Sequence, residues 1–331
     1  MMKFGIIGAG SFGTTLAQLL NDNGHEALLF DINEDFVNMI NNEHKHPFFG
    51  NILDKKITAT SNLEEAVNFG ENILLAVPTK VMRTVLRNIN NILTEKKLFI
   101  NVSKGIEPNT LSRVSEIVYD EVNNENILGY VCLTGPSHAE EIIERKLTCL
   151  VSASNNEEYA LKVQEAFSNT TYMRVYRIDD YIGAELNGSI KNALAVVSGV
   201  AFGYGLLENT RAALITRGII ELRDIAVALG SKKETVYGLT GLGDLIVTAS
   251  SFNSRNFKAG KLIGEGNNVD DVVNNSKMIV EGVRAIEACY QVGQKYNLDL
   301  PIINTAYEVC YKGLSVKDAI NHLLQRGLRI E

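Results

Sequence analysis

Lys3-Phe4-Gly5-Ile6-Ile7-Gly8-Ala9-Gly10-Ser11-Phe12-Gly13-Thr14 is the stretch on which the fold turns. The apolar run Lys3–Ile7 reads as a strand. A G-x-G-x-x-G follows at once, and the helical run Thr14–Leu20 follows that. Glycines at this spacing occur by chance, so the flanking context carries the reading. Gly8 permits the tight turn, Gly10 lets the backbone approach a pyrophosphate, and Gly13 lets helix and strand pack closely. Unpaired N–H groups and the positive end of the helix dipole would then hold the anion. A dinucleotide is expected on Gly8, Gly10 and Gly13.

Asp31 ends the next apolar run, 18 residues beyond Gly13. A carboxylate there accepts hydrogen bonds from the adenosine ribose of NAD and repels the 2′-phosphate of NADP. Ile32 and Asn33 follow, so no arginine waits for that phosphate. NAD(H) or NADP(H) fits the loop, and Asp31 tips the expectation toward NAD(H). The other reading of Asp31, a cap for a helix starting near Glu34, stays open.

Working outward, Phe4–Ile7, Ala27–Phe30, Ile73–Val77, Leu98–Val102 and Tyr130–Leu133 read as strands. Their nearly continuous apolar character suits burial on both faces. Amphipathic stretches such as Phe12–Leu20 and Val81–Ile89 alternate with them. Two further runs, Thr148–Ser152 and Tyr172–Tyr176, look β-like. This alternation predicts an α/β fold with a Rossmann-type, doubly wound parallel sheet. After Arg177 the spacing turns helical, and Asp179 and Asp180 suit an N-cap there. The 331 residues are therefore expected to form two domains, a dinucleotide-binding domain over 1–178 and an all-α substrate domain over 179–331.

The formal net charge is −7 and no block of Lys or Arg stands out. Neither a nucleic acid nor a membrane surface is expected as a partner. A small anionic substrate, held by a few local cations, remains open. The apolar stretch Ala193–Leu207 is too short to span a bilayer and reads as a buried helix. No signal peptide is visible, and four scattered cysteines without a C-x-x-C pair suggest reduced thiols in the cytoplasm. His25, His44, His46 and His322 are scattered and His138 reads as a spacer, so no metal site is expected.

Four clusters carry the expected chemistry. Ser103-Lys104-Gly105 lies just past a strand, and Gly135-Pro136-Ser137-His138-Ala139 just past the next. The third runs from Glu185 to Asn192, ending in Lys191-Asn192 among core-like neighbours, and the fourth, Gly241-Leu242-Gly243-Asp244-Leu245, precedes Thr248 and Ser254-Arg255-Asn256. Burying an amine makes its proton easier to give up, which suits Lys104 and Lys191 for proton transfer. Asp244, on a backbone able to pass close to a ligand, would orient the lysines or bind a substrate hydroxyl. Arg255 and Asn256 offer a fork of donors for a phosphate, with the Ser254 hydroxyl beside them.

With these motifs in order, and with Thr210-Arg211-Ala212-Ala213-Leu214-Ile215-Thr216-Arg217-Gly218 and Val280-Glu281-Gly282-Val283-Arg284, the chain closely resembles the bacterial NAD(P)-dependent sn-glycerol-3-phosphate dehydrogenases. The likeness covers nearly the whole chain. It implies reversible hydride transfer between NAD(P)H and dihydroxyacetone phosphate, giving sn-glycerol 3-phosphate for phospholipid synthesis, by a cytoplasmic homodimer. It implies that Ser11, Phe12, Ala139, Ile279 and Glu281 contact the cofactor and that Lys104 touches both cofactor and substrate. Gly135 and Ser137 would line the substrate site, and Lys191 would be the proton donor and acceptor. Asp244, Ser254, Arg255 and Asn256 would hold the glycerol phosphate, Arg255 also lying near the cofactor. Asn192 and Thr248 match further site positions of the wider family. The chain departs from the pattern at Ile32, often Arg, at Phe202, often Asp, and at the arginine-poor Phe257-Lys258-Ala259. A 3-hydroxyacid or 6-phosphogluconate type of dehydrogenase is the alternative, and Ser254-Arg255-Asn256 after Gly-Leu-Gly-Asp argues against it. A non-catalytic dinucleotide sensor would not need Lys104, Lys191 and Asp244.

Overall fold

The computed structural model describes residues 1–107, 110–252, 254–274, 281–328 and 330. The chain divides into two compact units, Met1–Glu185 and Leu186–Glu331.

The first unit is built on eight strands: β1 (Lys3–Ile7), β2 (Glu26–Phe30), β3 (Thr58–Thr60), β4 (Asn72–Leu75), β5 (Lys97–Asn101), β6 (Ile127–Thr134), β7 (Thr148–Ala153) and β8 (Met173–Ile178). They form one sheet in the order β3-β2-β1-β4-β5-β6-β7-β8. The chain leaves β1 on one side toward β2 and β3, then returns on the other side with β4. That reversal makes the carboxyl ends of β1 and β4 the natural ligand crevice of such a sheet. Continuous apolar runs become strands covered on both faces, as β4 and β5 show by being buried at every residue. Leu16, Leu19 and Leu20 of the helix Ser11–Asp22 share one core cluster with Phe4, Ile6 and Leu29.

Two features depart from the expected pattern. β3 is only Thr-Ala-Thr at the sheet edge, too short and too polar to announce itself. β7 runs antiparallel to β6, whereas the other pairings are parallel. The link 135–147 holds only the short helix Ala139–Ile143. An antiparallel neighbour needs no full crossover, so a connection this short suffices.

Asp180 caps the long helix Tyr181–Gly203 by accepting from Gly183 N at 2.8 Å. Its first turn belongs to the first unit for a physical reason. The buried Glu185 carboxylate accepts from Ser115 N at 2.9 Å and from the Ser115 and Tyr130 hydroxyls.

The second unit is helical among its described residues. Its main helices are the remainder of Tyr181–Gly203, Glu208–Ala228, Asp244–Ser250, Arg255–Gly264, Glu281–Tyr296, Pro301–Lys312 and Val316–Leu324. A glycine seam locks two of them together. A Cβ at Gly199 would fall 2.2 Å from Phe257 O, and one at Gly260 would fall 2.1 Å from Val196 O. The helices 181–203 and 255–264 therefore touch backbone to backbone, which no other side chain allows. Beside this seam Phe202 packs against Phe252 and Phe257, and the Arg211 guanidinium lies over the Phe202 and Phe257 rings. No helix of the described residues is long and apolar enough to cross a membrane.

Candidate active site

The glycine loop sits at the carboxyl end of β1, and Gly10 caps the helix Ser11–Asp22. Gly8 takes φ +114°, a region L side chains rarely adopt, and a Cβ at Gly13 would fall 2.0 Å from Gly8 O. At Gly10 a Cβ would meet nothing within 4 Å. Thr14 N donates the first helical bond to Gly10 O at 3.1 Å. The N–H groups of Ser11, Phe12 and Gly13 therefore lie ahead of the helical ladder, which gives them no partner. Open space over Gly10 beside these donors fits the pyrophosphate of a dinucleotide.

Asp31 follows β2, and its Oδ2 accepts from Ala9 N at 2.8 Å while its Oδ1 accepts from Asn33 N at 3.0 Å. The carboxylate thus braces the glycine loop directly. The helix Glu34–Asn38 is capped instead by Asn33, whose side chain accepts from Asp35 N.

The cluster after β5 meets the cluster after β6. Lys104 Nζ donates to Gly135 O at 3.1 Å, and the Ser137 hydroxyl donates to the same carbonyl at 2.9 Å. Ala139 opens the short helix that follows, with His138 as its cap residue. Lys104, Gly135 and Ser137 are therefore neighbours in the first unit, although 31 residues separate Lys104 from Gly135.

In the second unit Lys191 is 3% exposed and Asp244 is 2% exposed. The Lys191 ammonium forms an ion pair with Asp244 Oδ1 and donates to Thr248 Oγ1 at 2.7 Å. The Thr248 hydroxyl in turn donates to Asp244 O at 2.6 Å, one helical turn back. Burying a lone ammonium would be prohibitive, and the carboxylate makes the buried group electrically neutral. Ser254 caps the helix Arg255–Gly264 by accepting from Phe257 N at 3.2 Å, and Arg255 is exposed. Asn256 is buried and accepts from Gly282 N at 2.9 Å, so it fixes the start of the helix that Glu281 opens. A Cβ at Gly282 would fall 2.5 Å from Asn192 O. Asn192, Asn256 and Gly282 thus converge. Ile279 lies outside the described residues.

Two residues at these places escape a reading of the sequence. His46 is fully buried, with Nε2 2.9 Å from Ser11 O and Nδ1 accepting from Phe48 N and Phe49 N. It supports the helix of the glycine loop from behind, and burial pushes its pKa down. The only local signal was a histidine before Pro47. Asn187 is also fully buried, one turn before Lys191. Among the described residues neither its Oδ1 nor its Nδ2 has a hydrogen-bond partner.

Residues 3–160 match the family described as NAD-dependent glycerol-3-phosphate dehydrogenase N-terminus, and residues 180–321 match its C-terminus. The chain belongs to the NAD-dependent glycerol-3-phosphate dehydrogenase family. It is 58% identical over 330 residues to a glycerol-3-phosphate dehydrogenase [NAD(P)+] of Acholeplasma laidlawii, covering 100% of this chain and 99% of that one. The enzyme of the same name from Phytoplasma mali is 46% identical over the same shares. Among solved structures, a Coxiella burnetii glycerol-3-phosphate dehydrogenase superposes with a TM-score of 0.88 at 29% identity, covering 98% of this chain and 99% of that one. A D-mandelate dehydrogenase holding NADH superposes with a TM-score of 0.62 at 15% identity over 94% of this chain and 98% of that one, a likeness of fold alone. Family membership thus rests on both units of the chain.

Proposed function

We propose that this protein catalyses the reversible reduction of dihydroxyacetone phosphate to sn-glycerol 3-phosphate with NADH or NADPH. The buried Lys191–Asp244–Thr248 group carries the reading, in a chain that matches glycerol-3-phosphate dehydrogenases from end to end. It is an acid–base device built where the fold could have used apolar side chains. When bound, the reduced nicotinamide supplies a hydride to the substrate carbonyl carbon.

Each residue then has a task. Lys191 Nζ gives a proton to the carbonyl oxygen as negative charge grows there, and recovers one in the reverse direction. Asp244 and Thr248 fix the direction of that amine. Lys104 stabilises the developing alkoxide with a second positive charge. Arg255, with Ser254 and Asn256, holds the phosphate, since a guanidinium fork matches phosphate oxygens. Gly135, Ser137 and Asn192 complete the substrate site. Gly8, Gly10 and Gly13 hold the pyrophosphate with Ser11 and Phe12, Asp31 takes the ribose, and Ala139, Lys104, Arg255 and Glu281 contact the rest of the cofactor.

In this reading residues 1–178 serve the cofactor and 179–331 the substrate. The family resemblance supports a homodimer in the cytoplasm that feeds phospholipid synthesis. The deciding assay follows absorbance with dihydroxyacetone phosphate and either NADH or NADPH. Turnover is expected with both cofactors and faster with NADH. Turnover of a 3-hydroxyacid or of 6-phosphogluconate, with none of dihydroxyacetone phosphate, would replace this reading by its alternative.

A further inference from the structure

The orphaned amide of Asn187 has the properties of a ligand group. Buried polar atoms are nearly always hydrogen-bonded, and each exception calls for a cause. Here both ends of one side chain, a donor and an acceptor, lack a partner among the described residues in a side chain with no solvent exposure. Desolvating both without replacement costs free energy that an apolar residue would have saved.

Its position says what it serves. Residues 187, 191, 194 and 198 share one stripe of the helix Tyr181–Gly203. Two members of that stripe bond along the helix Asp244–Ser250. Ser198 Oγ donates to Ala249 O at 2.9 Å, and Lys191 Nζ meets Asp244 and Thr248. The two helices run the same way along this stripe, since 191 faces 244 and 198 faces 249. Asn187 lies about 6 Å further back, beyond Asp244, where the α-helix gives way to the π-helical turn Leu239–Gly243. The stripe therefore continues past the proton donor to a carboxamide that receives no hydrogen bond from that turn or from any other described residue.

We infer that Asn187 recognises the free hydroxymethyl group of the substrate. This rests on the reaction proposed above. The hydroxymethyl carbon of dihydroxyacetone phosphate is bonded to the carbonyl carbon whose oxygen takes the proton from Lys191. A hydroxyl both donates and accepts, so it donates to Oδ1 and accepts from Nδ2 of one carboxamide. Asn187 is thus a specificity-determining residue that selects ketones bearing a hydroxyl next to the carbonyl.

The experiment compares kcat/KM for dihydroxyacetone phosphate and for hydroxyacetone phosphate, in which a methyl replaces the hydroxymethyl group. The intact enzyme and Asn187→Ala are measured, with NADH affinity followed by fluorescence. The intact enzyme should prefer dihydroxyacetone phosphate by at least about 100-fold, because a site built to bond a hydroxyl rejects an analogue lacking it. Asn187→Ala should shrink that preference about tenfold or more, through loss on dihydroxyacetone phosphate alone. Asn187→Ser, which keeps one smaller hydroxyl, should fall between and decides the matter should the alanine variant not fold. Equal losses on both substrates, an unchanged preference, or a loss confined to NADH affinity would each overturn the assignment. No turnover of dihydroxyacetone phosphate by the intact enzyme would overturn the underlying reading with it.

Discussion

The Lys191 ammonium and the Asp244 carboxylate, 53 residues apart in the chain, are ion-paired inside the helical unit with 4% and 2% of their side chains exposed. A buried pair of this kind is poor value for stability, because apolar side chains of similar volume do as well or better. Its retention fits a chemical use. The pair keeps an amine in a dry place and holds it in one direction through Thr248.

Breaking one side of the pair strands the other charge. Asp244→Leu should destabilise the protein by about 3 kcal/mol or more, measured by urea unfolding. The double variant Lys191→Met/Asp244→Leu should recover most of that loss, and both variants should be inactive. A double variant no more stable than Asp244→Leu would show that the two charges do not depend on each other.

The glycine loop separates folding from binding. Gly13→Ala places a Cβ 2.0 Å from Gly8 O, with backbone on both sides of the clash. Gly10→Ala places one in open space where the pyrophosphate is proposed to lie. Gly13→Ala should lower the melting temperature by several degrees. Gly10→Ala should melt with the parent protein yet bind NADH at least about tenfold more weakly, a cost of roughly 1.4 kcal/mol. Parental NADH affinity in Gly10→Ala would remove the pyrophosphate from this loop.

Asp31 both braces Ala9 N and faces the proposed ribose site. Asp31→Asn keeps an acceptor for the loop and removes the charge that repels a 2′-phosphate. The ratio of kcat/KM for NADPH over NADH should rise roughly tenfold, equivalent to about 1.4 kcal/mol. An unchanged ratio would assign the cofactor preference to another residue.

Glu221 supplies a pH dependence away from the proposed chemistry. Its carboxyl accepts from Ile302 N at 2.8 Å and Ile303 N at 3.0 Å, at the start of the helix Pro301–Lys312. Burial pushes its pKa up from 4.5 to about 7 despite those two donors. Between these values the folded protein binds the proton more tightly than the unfolded chain. This group's contribution is therefore full below about pH 4.5 and is lost as pH rises through about 7, by on the order of 3 kcal/mol. Glu221→Gln should flatten that part of the stability profile, read from urea midpoints between pH 5 and 8. A profile as steep as the parent's would place the titration elsewhere.

Much of the fold was legible from local pattern. The runs at β1, β4 and β5 announce strands covered on both faces, because apolar continuity depends only on neighbours in sequence. The glycine loop is equally local, since a positive φ at Gly8 and the close approach at Gly13 are demands of a few consecutive residues. The change to helical spacing after Arg177 appears as the helix Tyr181–Gly203 and those that follow it.

What no local pattern carries is partnership. The amino acids at 191, 244 and 248 determined that an amine, an acid and a hydroxyl exist; only the packing of the helix Tyr181–Gly203 against the helix Asp244–Ser250 decided that they meet. The same holds for the antiparallel β7, for His46 behind the glycine loop, and for the unsatisfied Asn187 amide. Sequence periodicity encodes which face of an element avoids water. The identity of the group across from a buried polar atom is a property of distance in space, and it comes into being only when the chain has folded.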